Sequence, residues 1–401
     1  MTNKFSIVIP CYNEEDIIFT SIEGIRRLDY KDYEVIYVND GSNDDTFNIL
    51  DKYLELQEQP YEVSIENRNK YKGFYKSTIY PNFYVVNKIN GGKADSLNTG
   101  ILFSSYDLII TLDSDSVLEK NSLNIINNTF SDEEVIAAGG AVHVMQSHLS
   151  SSVKGFNEVL IKLQALDYIR GFYIYKASLA NEDALAIISG AFGIFRKSVL
   201  REVGGYSNTL GEDIDITIRF QKYALKNNKI IKFLPQAICY TECPESWKDL
   251  LNQRVRWQKA FIDCMLRFFP FIITSFITKT VSFYLLVEAF LIGMASALFT
   301  ITMGIIVIFN SSTRILFTFI FYFLLSTVFS LIYSLVSIKI SNIYSERKYT
   351  FKYFRSTIIL DLLWYRYINI LYFLLGTILY FFNKKSWNKV KRSKRKYELN
   401  N

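Results

Sequence analysis

Residues 107–116 read Asp-Leu-Ile-Ile-Thr-Leu-Asp-Ser-Asp-Ser, a short apolar run closed by two carboxylates one residue apart. Such a run suits a buried strand, and the abrupt polarity at Asp113 marks its C-terminal end. The same figure recurs upstream. Phe5 to Pro10 (FSIVIP) leads into Tyr12-Asn13-Glu14, Tyr33 to Asn39 (YEVIYVN) leads into Asp40-Gly41-Ser42, and Phe83 to Asn87 is a further apolar run. Amphipathic segments separate these runs: Glu14 to Arg27, one beginning near Asp44, and Lys93 to Ser104. Strands alternating with helices predict an α/β domain built on a parallel sheet with right-handed crossovers. Ligands of such sheets bind beyond the C-terminal ends of the strands. Three polar clusters fall at that edge, which points to one site.

Further along, Ala137 to Val144 reads as a strand, Gly155 to Tyr173 as a helix and Ile187 to Phe195 as a Gly-bearing strand or hairpin. Ser198 to Val203 is expected to be a short helix with Ser198 as its N-cap. Glu212 to Leu225 follows as a helix with acidic residues in its first turn, where the dipole favours them.

The remainder is different in kind. Most acidic charge precedes Asp263, whereas Val281 to Phe382 is dominated by apolar runs. Glu245 to Lys279 is amphipathic, basic and aromatic, as expected of helices lying in a membrane interface. Ala289 to Phe309 and Ile315 to Ile338 each supply the ~20 apolar residues that a spanning helix needs. Tyr367 to Phe382 is shorter and follows Asp361 and Arg366. The basic stretch Lys339 to Arg355 and the basic tail Lys384 to Lys396 both belong on the cytosolic side by the positive-inside rule. Two full spans satisfy both, with Ser356 to Phe382 interfacial or re-entrant; as a third span, the alternative, it would put the tail outside. Met1-Thr2-Asn3-Lys4 runs directly into the first apolar segment without a secretory leader pattern, so insertion is expected to rest on the C-terminal segments. The expected organisation is a cytosolic domain over 1–243, interface helices over 244–280, a membrane domain over 281–382 and a basic cytosolic tail over 383–401. That tail reads as a contact for anionic lipid rather than for nucleic acid. Cys11, Cys239, Cys243 and Cys264, with His143 and His148, lack paired metal-ligand spacing and read as reduced, buried thiols.

Several clusters have residue types suited to chemistry, and each also has an ordinary reading. Asp113-Ser114-Asp115 offers two hard oxygen ligands able to grip Mg²⁺ or Mn²⁺ together with a diphosphate; an isolated Asp-x-Asp is common in turns. Asp40 could accept a hydrogen bond from a nucleobase or form an Asx-turn. Gly91-Gly92-Lys93 opens a helix, where Lys93 could meet a phosphate, or is a Gly-rich turn. Gly211-Glu212-Asp213 supplies either a carboxylate base or a helix cap. Gln253, Arg256 and Trp257 share one helical face with donors for oxyanions and a flat indole for a sugar ring, or anchor the interface.

Taken together, Ser6-Ile7-Val8-Ile9-Pro10-Cys11-Tyr12-Asn13-Glu14-Glu15, Asn39-Asp40-Gly41-Ser42, Gly91-Gly92-Lys93-Ala94-Asp95-Ser96-Leu97-Asn98, Ser189-Gly190-Ala191-Phe192-Gly193 and Gln253-Arg254-Val255-Arg256-Trp257 resemble, in order and spacing, the processive membrane members of glycosyltransferase family 2. That group includes cellulose, hyaluronan and poly-N-acetylglucosamine synthases. The resemblance implies a GT-A catalytic domain, α/β with a Rossmann-like and mostly parallel sheet, followed by an α-helical membrane domain. It implies inverting transfer from a UDP-sugar, UDP-N-acetylglucosamine or UDP-glucose favoured, to a growing β-linked polysaccharide. Transfer of one sugar to a lipid carrier or diacylglycerol is the alternative. Asp213 then corresponds to the general base with Glu212 beside it. Asn13, Glu14, Asp40, Lys93, Asp113 and Asp115 would face the donor, Asp113 and Asp115 holding the metal. Gln253, Arg254, Arg256 and Trp257 would meet diphosphate and acceptor. Gly211 stands where the family often has Thr. Membrane lipids are expected partners, an accessory membrane subunit is a further hypothesis, and the cell membrane is the expected location. A non-catalytic scaffold would be expected to have lost carboxylates that this sequence keeps.

Overall fold

The computed structural model describes residues 2–61, 70–149, 156–309 and 312–382, with positions 395, 397 and 399. It forms two compact units. One comprises Met1–Val153, Leu185–Cys243 and Arg392–Asn401; the other comprises Lys154–Ala184 and Pro244–Lys391. The helix expected near 155–173 lies in the second unit. Gly155 and, except for Arg395, the basic run 384–396 lie outside the described residues.

The first unit is built on a 10-stranded sheet of order β3-β4-β5-β2-β1-β6-β9-β8-β10-β7. The strands are β1 (Phe5–Cys11), β2 (Tyr33–Asp40), β3 (Leu56–Glu58), β4 (Tyr71–Ser77), β5 (Phe83–Lys88), β6 (Leu108–Leu112), β7 (Ser116–Leu118), β8 (Val135–Val144), β9 (Phe192–Arg196) and β10 (Ile230–Thr241). Strands β5, β2, β1 and β6 are parallel neighbours. Every residue of β2 and β6 is buried. Burial on both faces explains why these strands read as unbroken apolar runs rather than alternating ones. The helix Lys93–Phe103 lies close to this layer: a Cβ on Gly100 would come within 2.2 Å of Val8 Cγ1, so only glycine permits the approach. Register places Asn39 opposite both Cys11 and Asn87, and Asp40 opposite Lys88. The polar strand ends are thereby brought to one edge.

Three features depart from the sequence reading, each for a local reason. The stretch before Phe83, where no strand was read, contains β3 and β4, which extend the sheet antiparallel. Lys72, Gly73 and Lys76 blur the apolar alternation of β4. Strand β10 was hidden by Pro235, which removes a ladder donor; the strand accommodates it in an irregularity between Leu234 and Ile238. Ser198 is not an N-cap. Strand β9 runs directly into the helix Lys197–Glu202, Arg196 takes the cap position, and no side chain caps it. Because β9 pairs antiparallel with β6 and β8, the sheet is mixed beyond its parallel centre.

In the second unit, Leu160, Leu163, Leu250, Tyr365 and Tyr372 form a buried core. The helix Trp247–Arg267 starts at Ser246, whose hydroxyl accepts from the Asp249 N–H. It packs tightly on the helix Arg366–Phe382, since a Cβ on Gly376 would meet Gln258 Cβ at 2.5 Å. Three helices, Thr280–Phe309, Thr313–Tyr344 and Phe351–Phe382, are long and apolar enough to cross a membrane by length and composition. The third begins well before the apolar run at Tyr367. Its interrupting charge, Asp361, is buried and paired with Arg170 at 2.7 Å. Pairing of this kind is what a charge within a span requires. A third candidate span thus joins the two read from hydropathy.

Candidate active site

At the C-terminal edge of the sheet, the loops after β1 and β2 are stitched together. Asn13 adopts a left-handed backbone (φ 56°), its N–H donates to Ser42 Oγ (3.0 Å), and its Oδ1 accepts from the Asn43 N–H (2.8 Å). The N–H of Glu14 donates to Thr46 Oγ1 at 2.7 Å, and Glu14 itself is buried. The amphipathic segment after β1 therefore becomes helical only from Ile18. Asn13 thus braces the second loop.

Asp40 ends β2 with its carboxylate buried. Its Oδ1 accepts from Lys88 Nζ (2.5 Å) and the Gly91 N–H (2.9 Å), and its Oδ2 accepts from the Gly92 N–H (2.8 Å). Asn90 Nδ2 also donates to the Asp40 carbonyl (2.9 Å). A carboxylate offers about four acceptor positions, so three are engaged in shaping the Gly91-Gly92 turn. Lys88 was not anticipated from sequence, where a strand-end lysine reads as solvated. A cavity of about 470 Å³ lies beside this turn, its lining including Asn90, Asp95, Asn98 and Tyr206. Asn98 clips the backbone of Tyr206 at both ends, Nδ2 to the carbonyl and N–H to Oδ1, each at 2.8 Å.

Past that turn, Lys93 begins its helix and carries its ammonium into a group of acids. Lys93 Nζ lies 2.7 Å from Asp113 Oδ1 and 3.3 Å from Glu212 Oε1, and donates to the Gly190 carbonyl at 3.4 Å. Asp213, beside Glu212 in the first turn of the helix Glu212–Asn227, accepts from the Gly190 N–H through Oδ2 at 3.3 Å. Asp115 is buried, its Oδ1 accepting from Thr241 Oγ1 (3.2 Å) and Ser116 Oγ (3.3 Å). Lys93, Asp113, Glu212 and Asp213, which lie far apart in sequence, therefore converge.

The electrostatics follow from that crowding. Burial pushes the Asp113 carboxyl up to about 6; Lys93 opposes the shift, while Asp115 and Glu212 add to it. Burial alone would lower Lys93, but Asp113, Glu212 and Asp213 outweigh it and hold the ammonium well above its usual range. Burial also raises the Cys239 thiol, so it is not a nucleophile at neutral pH. All four cysteines are buried.

The remaining predicted residues belong to the second unit, on the helix Trp247–Arg267. Trp257 is substantially exposed (40%). The Arg254 guanidinium stacks 4.5 Å from its ring centroid and pairs with Asp167 Oδ2 at 3.4 Å. Asp167 also accepts from the Tyr365 hydroxyl at 3.1 Å. Gln253 Oε1 is buried without a hydrogen-bond partner among the described residues. Arg254 is thus held inward by Asp167 on a different helix, whereas the indole faces out.

Residues 108–383 match the family model for glycosyl transferase family group 2, and residues 6–79 match that for glycosyl transferase family 2. The chain belongs to glycosyl transferase family group 2. Within this glycosyltransferase family, it is 27% identical over 283 residues to poly-beta-1,6-N-acetyl-D-glucosamine synthase of Staphylococcus epidermidis, covering 70% of this chain and 59% of that protein. The synthase of the same name from Staphylococcus aureus strain MSSA476 is 28% identical over 266 residues, covering 66% of this chain and 56% of that protein. The chain therefore spans less than two thirds of the length of these relatives. Among solved structures, it resembles the mannosyltransferase PcManGT from Pyrobaculum calidifontis, determined in complex with GDP-Man and Mn²⁺, at a TM-score of 0.59. That likeness covers 96% of this chain and 89% of the other at 15% identity, and places both in the GT-A fold. The mixed α/β sheet followed by apolar helices agrees with the architecture read from the sequence.

Proposed function

We propose that this glycosyltransferase transfers a sugar from a UDP-sugar, with inversion at the anomeric carbon, to a growing β-linked polysaccharide at the cell membrane. The observation that carries this reading is the convergence of Lys93, Asp113, Glu212 and Asp213 at one edge of the sheet. UDP-N-acetylglucosamine is the favoured donor because both relatives above are poly-N-acetylglucosamine synthases; UDP-glucose is next. The candidate spans and the basic stretch Lys339 to Arg355 support a membrane location with the first unit cytosolic.

The donor's leaving group is a diphosphate, so positive charge must meet it as the glycosidic bond breaks. Lys93 supplies one such charge. Its ammonium contacts Asp113 and Glu212, which fix it near the strand edge while leaving it partly exposed (36%) to a ligand. Asp213 is the proposed base, taking the proton of the acceptor hydroxyl as its oxygen attacks. Its Oδ2 is oriented by the Gly190 N–H, and Glu212 spends an oxygen on Lys93. The indole of Trp257 is the proposed platform for the acceptor sugar.

A divalent cation fits the acids on this edge. Asp113 and Asp115 are hard oxygen donors with one residue between them, and Asp115 and Glu212 place further negative charge near the buried Asp113 carboxyl that a cation would relieve. Among the described residues no group of three or more His, Cys, Asp or Glu gathers to hold a metal. Mg²⁺ or Mn²⁺ would thus be held by Asp113 and Asp115 with further ligands from the donor, and would supply charge neutralisation to the leaving diphosphate. EDTA is expected to stop transfer and Mn²⁺ or Mg²⁺ to restore it; full activity in chelator would remove this assignment.

The test of the whole reading is product size. Purified protein in lipid, given labelled UDP-sugars one at a time, is expected to yield a ladder of oligosaccharides from one donor. One discrete glycolipid would instead assign a lipid acceptor, and no transfer from any UDP-sugar would refute the proposal.

A further inference from the structure

We propose that Lys88 is a positioning residue for the donor site, holding in register the turn that delivers Lys93 to the acids; the inference rests on the donor-site reading above. Lys88 ends β5 and is 1% exposed, an unusual place for an ammonium. Its Nζ meets Asp40 Oδ1 at 2.5 Å, Asp95 Oδ2 at 2.6 Å and the Ile89 carbonyl at 2.7 Å. An ammonium has three donors, and all three are engaged.

The contacts form a chain with a direction. Asp40, fixed by Lys88, accepts the N–H groups of Gly91 and Gly92. Gly92 has a left-handed backbone (φ 86°) and immediately precedes the helix that Lys93 begins. Asp95, the other partner of Lys88, sits in the first turn of that helix. Lys88 therefore ties the end of β2 to both sides of Lys93. The surroundings leave no slack: a Cβ on Gly41 would meet the Asn90 backbone nitrogen at 2.8 Å, and one on Gly91 would meet Asp95 Oδ2 at 2.3 Å. With the turn so set, Lys93 reaches Asp113 and Glu212. Lys88 itself stays covered and acts on a ligand only through Asp40, Asp95 and Lys93.

Removing Lys88 outright leaves Asp40 and Asp95 without their shared counter-charge, so Lys88→Met is expected to destabilise the unit. Two milder variants carry the test. Asp95→Asn removes one anchor at a partly exposed acid, and Lys88→Arg keeps the charge while changing its reach. UDP affinity is measured calorimetrically with Mn²⁺ on the full chain in detergent, beside Lys93→Met and thermal unfolding of each protein. The expected result is UDP binding about tenfold weaker in Asp95→Asn and Lys88→Arg, the scale at which losing the partner of a liganding group usually acts. Their melting temperatures should stay near wild type, and the donor KM should rise more than kcat falls. Unchanged UDP affinity in both variants, with Lys93→Met impaired, would overturn the role of Lys88 alone. Unchanged affinity in Lys93→Met would overturn the donor-site reading itself.

Discussion

Lys93 Nζ stands 2.7 Å from Asp113 Oδ1, joining the start of a helix to the end of strand β6. This pair sets the charge of the site: one ammonium among Asp113, Glu212 and Asp213, with Asp115 two residues beyond Asp113. Replacing Lys93 with Met removes its ammonium from Asp113 and Glu212. UDP affinity is expected to fall by at least tenfold, since hydrogen bonds to charged groups contribute about 1.5–3 kcal/mol. Calorimetric titration of UDP into the variant checks this.

Protons should destabilise the first unit through His143. This residue is fully buried on β8, its Nδ1 3.0 Å from His148 Nε2, and burial pulls its pKa down to about 3. An unfolded histidine titrates near ~6.5, so below that pH the unfolded chain binds a proton that the folded chain refuses. The His143 contribution is therefore intact above ~6.5 and drains away as pH falls toward 3, by up to ~1.4 kcal/mol per pH unit. Unfolding curves between pH 7.5 and 5 should show this decline in wild type and a shallower one in His143→Gln.

Helix packing in the second unit depends on Gly376. A side chain there would collide with Gln258 Cβ at 2.5 Å and approach the Val255 carbonyl at 3.2 Å. Gly376→Val is expected to cost about 1–3 kcal/mol, the usual range for overpacking. A lower melting temperature in detergent, with Gly304→Val (open space around its Cβ position) as the comparison, would check it.

The parallel centre of the sheet was readable because strands buried on both faces leave apolar runs, and because each run ended in a polar cluster. β4 and β10 were not, for opposite reasons: lysines and a glycine interrupt the first, and Pro235 interrupts the second. The acids of the site were readable as motifs, since Asp113, Asp115, Glu212 and Asp213 sit at strand and helix ends. Lys88 was missed because its partner Asp40 lies 48 residues away and meets it only once β2 and β5 are in register. Arg254 shows the same limit. Helical spacing grouped Gln253, Arg256 and Trp257 on a face, but the Arg254 contact with Asp167 arises from packing of a helix remote in sequence.

In the proposed mechanism these acids divide the work, Asp113 holding the donor and Asp213 drawing the proton. Asp213→Asn keeps an oxygen for the Gly190 N–H while losing the base, and a lost general base costs roughly 10²–10⁴-fold in rate. The deciding measurement is UDP affinity and sugar transfer in Asp213→Asn and Asp113→Asn side by side. Near-normal UDP binding without transfer in Asp213→Asn, and loss of both in Asp113→Asn, is the expected result. Transfer surviving in Asp213→Asn, or UDP binding surviving unchanged in Asp113→Asn, would contradict it.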